Sequence, residues 1–171
     1  MFKKLFIIFF FVLLNNVIAD EKIAFIDVNY ILNNSIAGKE ANKQIDVKQK
    51  KITLEFEKLK KKIESERKTL LAQKNVISQD EYNKKLISLE KEIQTYNSTI
   101  AKKNNELLNF KNKTKAQFTK NLQPILTEYS KENSISMILR KENLLIGKTE
   151  LDITKGILEL FNKKVKNISS N

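Results

Sequence analysis

Two apolar stripes with helical spacing occupy residues 39–131 of this 171-residue chain. Both advance in steps of three, four or seven residues, which is the period of one helix face, whereas a strand requires alternation. The first stripe comprises Ile45, Ile52, Phe56, Leu59, Ile63 and Leu70. The second comprises Tyr82, Leu86, Leu89, Ile93, Tyr96, Ile100, Leu107 and Phe110. The stripes predict two long amphipathic helices.

The residues between the stripes predict that the chain turns back on itself. Ser78 and Glu81 fit a capping box, in which the Ser hydroxyl accepts from the N–H of Glu81 and the Glu side chain reaches back. A second helix therefore begins beyond a tip near 75–78. A reversal at this tip sets Phe56 opposite Tyr96 and aligns the two stripes along their length. The sequence predicts a long antiparallel helical hairpin.

The aligned stripes are interrupted at two levels. The same reversal sets Gln49 opposite Lys103 and Glu66 opposite Leu86, so at least one partner is polar at each level. Polar residues at such positions weaken packing and help to fix register in coiled coils. Two interpretations stay open, namely points at which the arm flexes and ordinary solvated gaps.

The arm also carries most of the positive charge. The chain has 32 basic and 20 acidic residues, with a net charge of +12. Residues 39–74 hold twelve basic and six acidic side chains, and residues 79–131 hold ten and six. Past residue 19, the rest of the chain balances to zero. A basic arm attracts acidic partners within about a Debye length, roughly 8 Å at physiological salt.

Candidate contact residues for such a partner therefore lie on the arm. The lysine runs and the apolar tip supply them: Lys60, Lys61, Lys62, Lys102, Lys103, Val76, Ile77 and Tyr82. Lysines would attract acidic segments, and the apolar tip would give a weak, non-specific grip. The plainer alternatives are a solvated helix face for the lysines and packing within the turn for the apolar residues.

The first 19 residues have the pattern of a secretory signal peptide. Lys3 and Lys4 precede an uninterrupted apolar run over 5–14, and Val17 to Ala19 place small residues before a cut. The run is shorter than the roughly 20 apolar residues of a membrane span. We predict export with cleavage after Ala19; an uncleaved anchor is the alternative.

Residues 20–38 and 132–171 predict a small β-containing body. Residues 22–28 form a strand rich in β-branched and aromatic residues, and its two apolar faces indicate burial on both sides. A brief helix or turn follows over 29–37, and Gly38 punctuates the chain before the arm.

The C-terminal part of the body has its own signals. Pro124 predicts a kink in the second helix or a new helix start. Strands over 135–140 and 143–146 flank a predicted tight turn. A final amphipathic helix opens near Leu151, with Asp152 as its N-cap and Thr149 as the alternative.

The small size of the body predicts that the protein self-associates. The body has roughly 60 residues and open strand edges, and such units usually need a staple or a partner. With no Cys and no His in the chain, a disulfide or an ordinary zinc site is excluded. Oligomerisation is the remaining route, and the candidate residues are Ile23, Phe25, Ile26, Ile138 and Leu145.

The order of these features resembles the Skp (OmpH-like) family of periplasmic chaperones. The matching pieces are the signal peptide, the strand over 22–28, the Lys-rich hairpin, Leu122-Gln-Pro-Ile125, Ile138-Leu139 before a turn, and Leu151-Asp-Ile-Thr154. Members often have a Gly where this chain has Asn133-Ser134. A turn is still allowed there, since Asn tolerates a left-handed conformation.

The resemblance implies an α+β, mainly α fold that assembles as a homotrimer. Strands of three subunits would form a central body, and three helical hairpins would surround a cavity. Such proteins are ATP-independent holdases for unfolded outer-membrane proteins and need no cofactor. The resemblance also raises lipopolysaccharide or an anionic membrane surface as a further partner.

Three other classes of protein compare with this one as follows. An enzyme is not expected, because the chain has no His, no Cys and no Gly-rich phosphate loop. A pI near 9.7 fits a nucleic-acid-binding protein, but the signal peptide and the scarcity of Arg argue against a nucleic-acid partner. A structural coiled-coil protein of the envelope is the third class; the interrupted stripe favours arms that flex over a rigid spacer.

Overall fold

The computed structural model describes residues 21–168, so the predicted signal peptide lies outside the described residues. In chain order the elements are β1 (Lys22–Ile26), α1 (Val28–Asn34), α2 (Ile36–Gln73), α3 (Gln79–Glu132), β2 (Ile135–Arg140), two short 3-10 turns (Lys141–Asn143 and Thr149–Leu151) and α4 (Thr154–Lys164). Most of the described residues are thus helical, with a small two-stranded sheet.

The helices α2 and α3 correspond to the two predicted stripes, and they contact each other in reverse order of residue number. Near the middle, the rings of Phe56 and Tyr96 meet edge to face with centroids 6.1 Å apart. Nearer the tip, Lys85 Nζ donates to Gln73 Oε1 over 3.0 Å. The predicted contact between the two rings is therefore confirmed.

The Ser half of the predicted capping box is also confirmed. Ser78 is the N-cap of α3, and its Oγ accepts from the N–H of Glu81 over 3.2 Å. The carboxylate of Glu81 pairs instead with Lys85, one turn along the same helix, over 3.3 Å. A nearby ammonium is a stronger partner for an exposed carboxylate than a neutral N–H.

Towards the body, the polar contacts differ from the predicted alignment. Gln49 Oε1 accepts from Lys111 Nζ over 3.1 Å, whereas the simple reversal sets Gln49 opposite Lys103. Lys103 pairs with Glu106 on its own helix over 3.7 Å. A long, flexible lysine can reach along the arm, and Lys103 has a local acidic neighbour. The polar partner of Gln49 is thus not the predicted one.

The two strands pair in parallel, with Ile23 beside Met137 and Phe25 beside Leu139. The predicted strand over 143–146 is wrong, because 141–143 is a 3-10 turn and no strand follows it before Thr149. The chain returns to β1 only later, where the N–H of Ile153 donates to Phe25 O over 3.0 Å. Residues 152–153 therefore lie beside β1 instead.

The core lies where the long helices meet the body. It comprises Ile26, Ile31, Ala37, Ala41, Phe118, Leu122, Ile125, Ile157, Phe161 and Ile168. The rings of Phe118 in α3 and Phe161 in α4 lie 5.0 Å apart. Both ends of the arm are consequently built into the body.

Helix α3 runs through Pro124 to Glu132, so the alternative of a new helix start at Pro124 is wrong. A proline inside a helix removes one backbone hydrogen bond. Its neighbours Leu122 and Ile125 are both buried in the core, and their packing holds the helix across the missing bond.

The left-handed residue in the following turn is Ser134, with φ of 53°, rather than Asn133. Asn133 is instead the C-cap of α3. Its side-chain amide donates to Tyr129 O over 2.9 Å, and its N–H donates to the same carbonyl oxygen over 3.1 Å. These bonds hold Asn133 at the helix end and leave the reversal to the next residue.

Gly38 does not mark a break between two elements, because it lies inside the first turn of α2. The N-cap Ser35 accepts from the N–H of Gly38 over 3.1 Å. A Cβ on Gly38 would lie 1.7 Å from Leu32 O, at the end of α1. A glycine is required here because two helix backbones approach each other too closely for a side chain.

We expect Gly38→Ala to destabilise the protein strongly, since its Cβ would overlap a backbone oxygen that cannot rotate away. The expected loss in the free energy of unfolding is about 2 kcal/mol or more. Urea unfolding followed by circular dichroism measures it.

Gly156→Ala is the matched control. It also lies in the first turn of a helix, but the nearest atom to its added Cβ is Tyr129 Oη at 3.8 Å. This exposed site should gain about 0.5–1 kcal/mol from the better helix propensity of Ala. Equal effects of the two substitutions would contradict the close approach of α1 and α2.

Candidate functional site

Polar side chains cluster where β1, the chain after β2 and α4 meet. Asp152 accepts through Oδ1 from the N–H of Thr154 over 3.0 Å and from the Thr154 hydroxyl. Its Oδ2 pairs with Lys141 Nζ over 2.9 Å. Thr154 Oγ1 in turn accepts from the N–H of Asp27 over 2.9 Å.

The predicted N-cap of the last helix is thus one residue away from the observed one. Helix α4 begins at Thr154, so Ile153 occupies the cap position and makes no side-chain cap bond. Asp152 still satisfies the first N–H of the helix from outside it.

Charge and hydrogen bonds in this cluster hold Asp152 ionised. Partial burial by itself raises the pKa of the Asp152 carboxyl, but the bonds from Thr154 and Lys141 outweigh burial and lower that pKa below its ordinary value. The hydrogen bond to Asp152 raises the pKa of Lys141. All the side chains are engaged with each other, so the cluster joins elements of the body.

The predicted lysines of the arm fall into two groups. Lys60 pairs with Glu64 over 3.9 Å, and Lys62 pairs with both Glu66 and Glu92. The hydrogen bond to Glu92 raises the pKa of Lys62, and the same bond lowers the pKa of Glu92. These two ammonium groups already have acidic partners within the arm.

Lys61 and Lys102 form the second group. Both are exposed, and no ion pair involves either residue among residues 21–168. Lys103 is less available, because it is half-buried and pairs with Glu106. Only part of the predicted lysine set therefore presents a free charge.

The tip residues differ in exposure. Val76 is largely exposed, whereas Ile77 and Tyr82 are half-buried. The N–H groups of Val76 and Ile77 both donate to Gln73 O, so the turn is held by its own backbone. Val76 presents the most apolar surface of the three.

The candidate body residues are also divided. Phe25 and Ile26 are buried within the subunit, and Ile138 packs partly buried against the core. Ile23 is exposed, and Leu145 is fully exposed. Only these last two present side chains that another molecule can cover extensively.

Sequence reasoning missed two further exposed apolar residues of the body. Met137 is exposed beside Ile23 on the sheet, and Ile146 is exposed next to Leu145. Met137 and Ile146 belong to the apolar runs over 135–140 and 143–146, which predict ordinary strands. The available signal was that so small a body cannot cover every apolar residue in such runs.

No group of three or more acidic side chains between residues 21 and 168 is arranged to hold a metal ion. In the same part of the chain, no helix is both long enough and apolar enough to cross a membrane.

The arrangement defines a class: two long basic helices rooted in a small α/β body. The family model described as outer membrane protein (OmpH-like) matches residues 22–161, so the chain belongs to that family. The resemblance found in the sequence is thereby confirmed. No curated protein sequence matches the chain significantly.

A solved structure has the same fold. It is the crystal structure of a protein from Caulobacter crescentus CB15 that is described as an OmpH-like outer membrane chaperone. The TM-score is 0.79 at 16% identity, and the match covers 88% of this chain and 89% of that chain. At this identity the similarity shows a shared fold alone.

We expect Asp152→Asn to weaken the body in a pH-dependent way. A carboxylate whose pKa falls on folding stabilises the protein above its unfolded pKa of about 4, and this contribution is lost as the pH falls through the lower folded value. The variant should be about 1 kcal/mol less stable at pH 7.

The difference from wild type should shrink as the medium is acidified, and urea unfolding at neutral and acidic pH measures it. Glu150→Gln is the control, because Glu150 is exposed nearby and has no ion pair in the described chain. A difference that persists unchanged in acid would show that the charge of Asp152 contributes nothing.

Proposed function

We propose that this protein is an ATP-independent periplasmic chaperone that holds unfolded outer-membrane proteins. The observation that carries the proposal is the pair of long, basic helices rooted in a small core, found in a member of the OmpH-like family. In this proposal the signal peptide over 1–19 directs export, and cleavage follows Ala19. No cofactor takes part.

The arm supplies the holding surface. Residues 39–131 form an antiparallel helical hairpin, and the 38 residues of α2 span about 57 Å at 1.5 Å per residue. That length can wall a cavity for an unfolded chain. Its charge attracts acidic segments, and the exposed Val76 adds an apolar contact at the tip.

The body, residues 20–38 and 132–171, joins three subunits in this proposal. Among residues 21–168, the outer edge of β2 has no strand neighbour, and such an edge accepts a further strand. The outer edge of β1 is covered only in part, by the bridge between Phe25 and Asp152. Ile23 and Met137 lie side by side and exposed on this sheet. A groove of about 360 Å³ between β2 and α3 adds a concave surface. A homotrimer would cover these surfaces.

Replacement of Leu145 and Ile146 together by Ser should dissociate the oligomer. Both side chains are almost fully exposed within the subunit, so the change leaves the core intact and removes apolar surface from a contact between subunits. We expect the mass measured by light scattering to fall from that of a trimer to that of a monomer.

Leu108→Ser is the control, because Leu108 is an exposed aliphatic residue of the arm. An unchanged trimer in the body variant would contradict the role of residues 145–146. Charged replacement of Phe25 cannot test the interface, since Phe25 is buried in its own subunit and would unfold it.

The chaperone function is tested with an unfolded β-barrel protein diluted from urea without ATP. We expect the mature protein, as a trimer, to bind one client and suppress its aggregation. High salt should weaken this effect because exposed charges are screened. A monomer or dimer that lets the client aggregate would overturn the proposal in favour of a structural role in the envelope.

A further inference from the structure

One face of α2 has an unusual composition. It points away from the stripe of Ile52, Phe56 and Ile63, because positions near residue 47 lie about half a turn from these residues at 3.6 residues per turn. Between positions 43 and 68 this face carries Ser65 and eight further residues, six lysines and two aliphatic residues: Lys43, Lys50, Lys51, Lys58, Lys61, Lys68, Val47 and Leu54. We call these eight residues the lysine strip.

The strip contains no acidic residue. At the helical period, the acidic residues of α2 between positions 43 and 68 fall on the flanks of the strip. They are Asp46, Glu55, Glu57, Glu64 and Glu66. The acidic side chains that do form ion pairs on this helix bind Lys60 and Lys62, which also lie off the strip.

All six lysines of the strip are exposed, and none makes an ion pair or a side-chain hydrogen bond within the described part of the chain. Unpaired like charges on one helix face repel each other, so the bare strip costs stability. An acidic partner would relieve that repulsion as it binds.

Val47 and Leu54 give the strip an apolar centre. They are seven residues apart, so they lie on one line about 10.5 Å from each other. Both are more than half exposed, at 60% and 58%. A shallow groove of about 530 Å³ lies beside Leu54, on the flank of the strip, and its other lining residues are Asp46, Gln49, Lys50 and Thr53. The methylene stems of lysines extend such an apolar surface.

We propose that the lysine strip binds extended polypeptide segments that combine acidic and aliphatic side chains. The inference rests on the proposed chaperone function and assigns the main contact with the unfolded client to this face of α2, with Val76 at the tip as an additional contact. From Lys43 to Lys68 the strip is about 38 Å long, which matches about 11 residues of extended chain.

Two other anionic partners fit less well. An anionic membrane favours a helix with a continuous apolar face, whereas only Val47 and Leu54 interrupt the lysines here. A single-stranded nucleic acid is held by aromatic stacking as well as charge, and the strip has no aromatic residue. An acidic, aliphatic polypeptide uses both components of the strip.

The first test compares two charge-matched triple variants of the mature, full-length protein. Lys50→Gln, Lys51→Gln and Lys58→Gln together remove half of the lysines of the strip. Lys91→Gln, Lys113→Gln and Lys120→Gln together remove three exposed lysines of α3, which also have no ion pair in the described chain. This α3 variant is the control. Both triple variants should keep the wild-type helix content and melting temperature.

The probe is a fluorescent 12-residue peptide that alternates Glu with Leu, read by anisotropy. We expect the α2 variant to bind it about tenfold more weakly, since three exposed ion contacts of modest strength are lost. The α3 variant should change the affinity less than twofold. Replacing the Glu residues of the peptide by Lys, or the Leu residues by Ser, should also weaken binding.

The second test places a photo-crosslinking amino acid at either Leu54 or Leu108. These positions are matched in exposure, at 58% and 55%, but only Leu54 lies on the strip. With an unfolded β-barrel protein as client, we expect crosslinks from position 54 to exceed those from position 108 several-fold.

The outcomes distinguish failure of this inference from failure of the proposed chaperone function. If the wild type suppresses aggregation but both triple variants bind the peptide equally well, the chaperone function stands and the strip assignment falls. Equal crosslinking from the two positions would also overturn the assignment. If the wild type binds neither peptide nor client, the proposed function fails, and the inference fails with it.

The same variants test the other partners. A single-stranded oligonucleotide and vesicles containing phosphatidylglycerol serve as probes. If the α2 variant loses binding of the oligonucleotide or of the vesicles but keeps binding of the peptide, the proposal is overturned in favour of the partner whose binding is lost.

Discussion

The packing of both arm bases against α4 is the contact on which the rest of the structure depends. Phe118 and Phe161 meet in a core that also includes Ala41 of α2 and Ile26 of β1. Beyond this core the two long helices share only a narrow seam, and a single apolar stripe stabilises a helix pair modestly. The body therefore sets how the arm emerges, and the arm is free to keep a surface that contributes nothing to the fold.

That separation explains why the charged surface is possible. A helix face on which six lysines lack partners reduces the stability of the arm. The protein tolerates this loss because the opposite face of the same helix carries the seam, with Ile52 and Leu70 buried. In the proposed function, binding thus lies on the side of α2 opposite the seam that stabilises the helix pair.

The sequence predicted the long helices well, since helical periodicity is local information that residues 39–131 repeat many times. It predicted β1 and β2 as strands but paired β2 with the wrong segment. Pairing depends on residues more than a hundred positions apart, and an exposed apolar run such as 144–146 has the composition of a strand whether or not it finds a partner. The local pattern around Gly38 predicts a break in the chain, because the close approach of its backbone to Leu32 O leaves no trace in the sequence.

The candidate site was predicted less well for a geometric reason. Runs such as Lys60 to Lys62 attract attention because they are adjacent in sequence, but adjacent helical residues point in different directions. Lys60 and Lys62 pair with acidic neighbours, whereas Lys61 and the other lysines of the strip, which have no ion pair among residues 21–168, share one face of α2. The helical period groups these lysines on the side opposite the apolar stripe, whereas runs in the sequence mix them with residues on other faces.

The parallel pairing of β1 with β2 has a consequence for how the chain folds. Lys22 lies beside Ile135, so the sheet joins two segments that are separated by both long helices. Bringing such distant segments together is slow unless intervening structure shortens the loop. Helix formation from the tip toward the base does so, because each added turn moves the two strands closer. Pairing of α2 with α3 therefore brings β1 and β2 together. Slow helix pairing near the tip would delay formation of the sheet at the other end of the molecule.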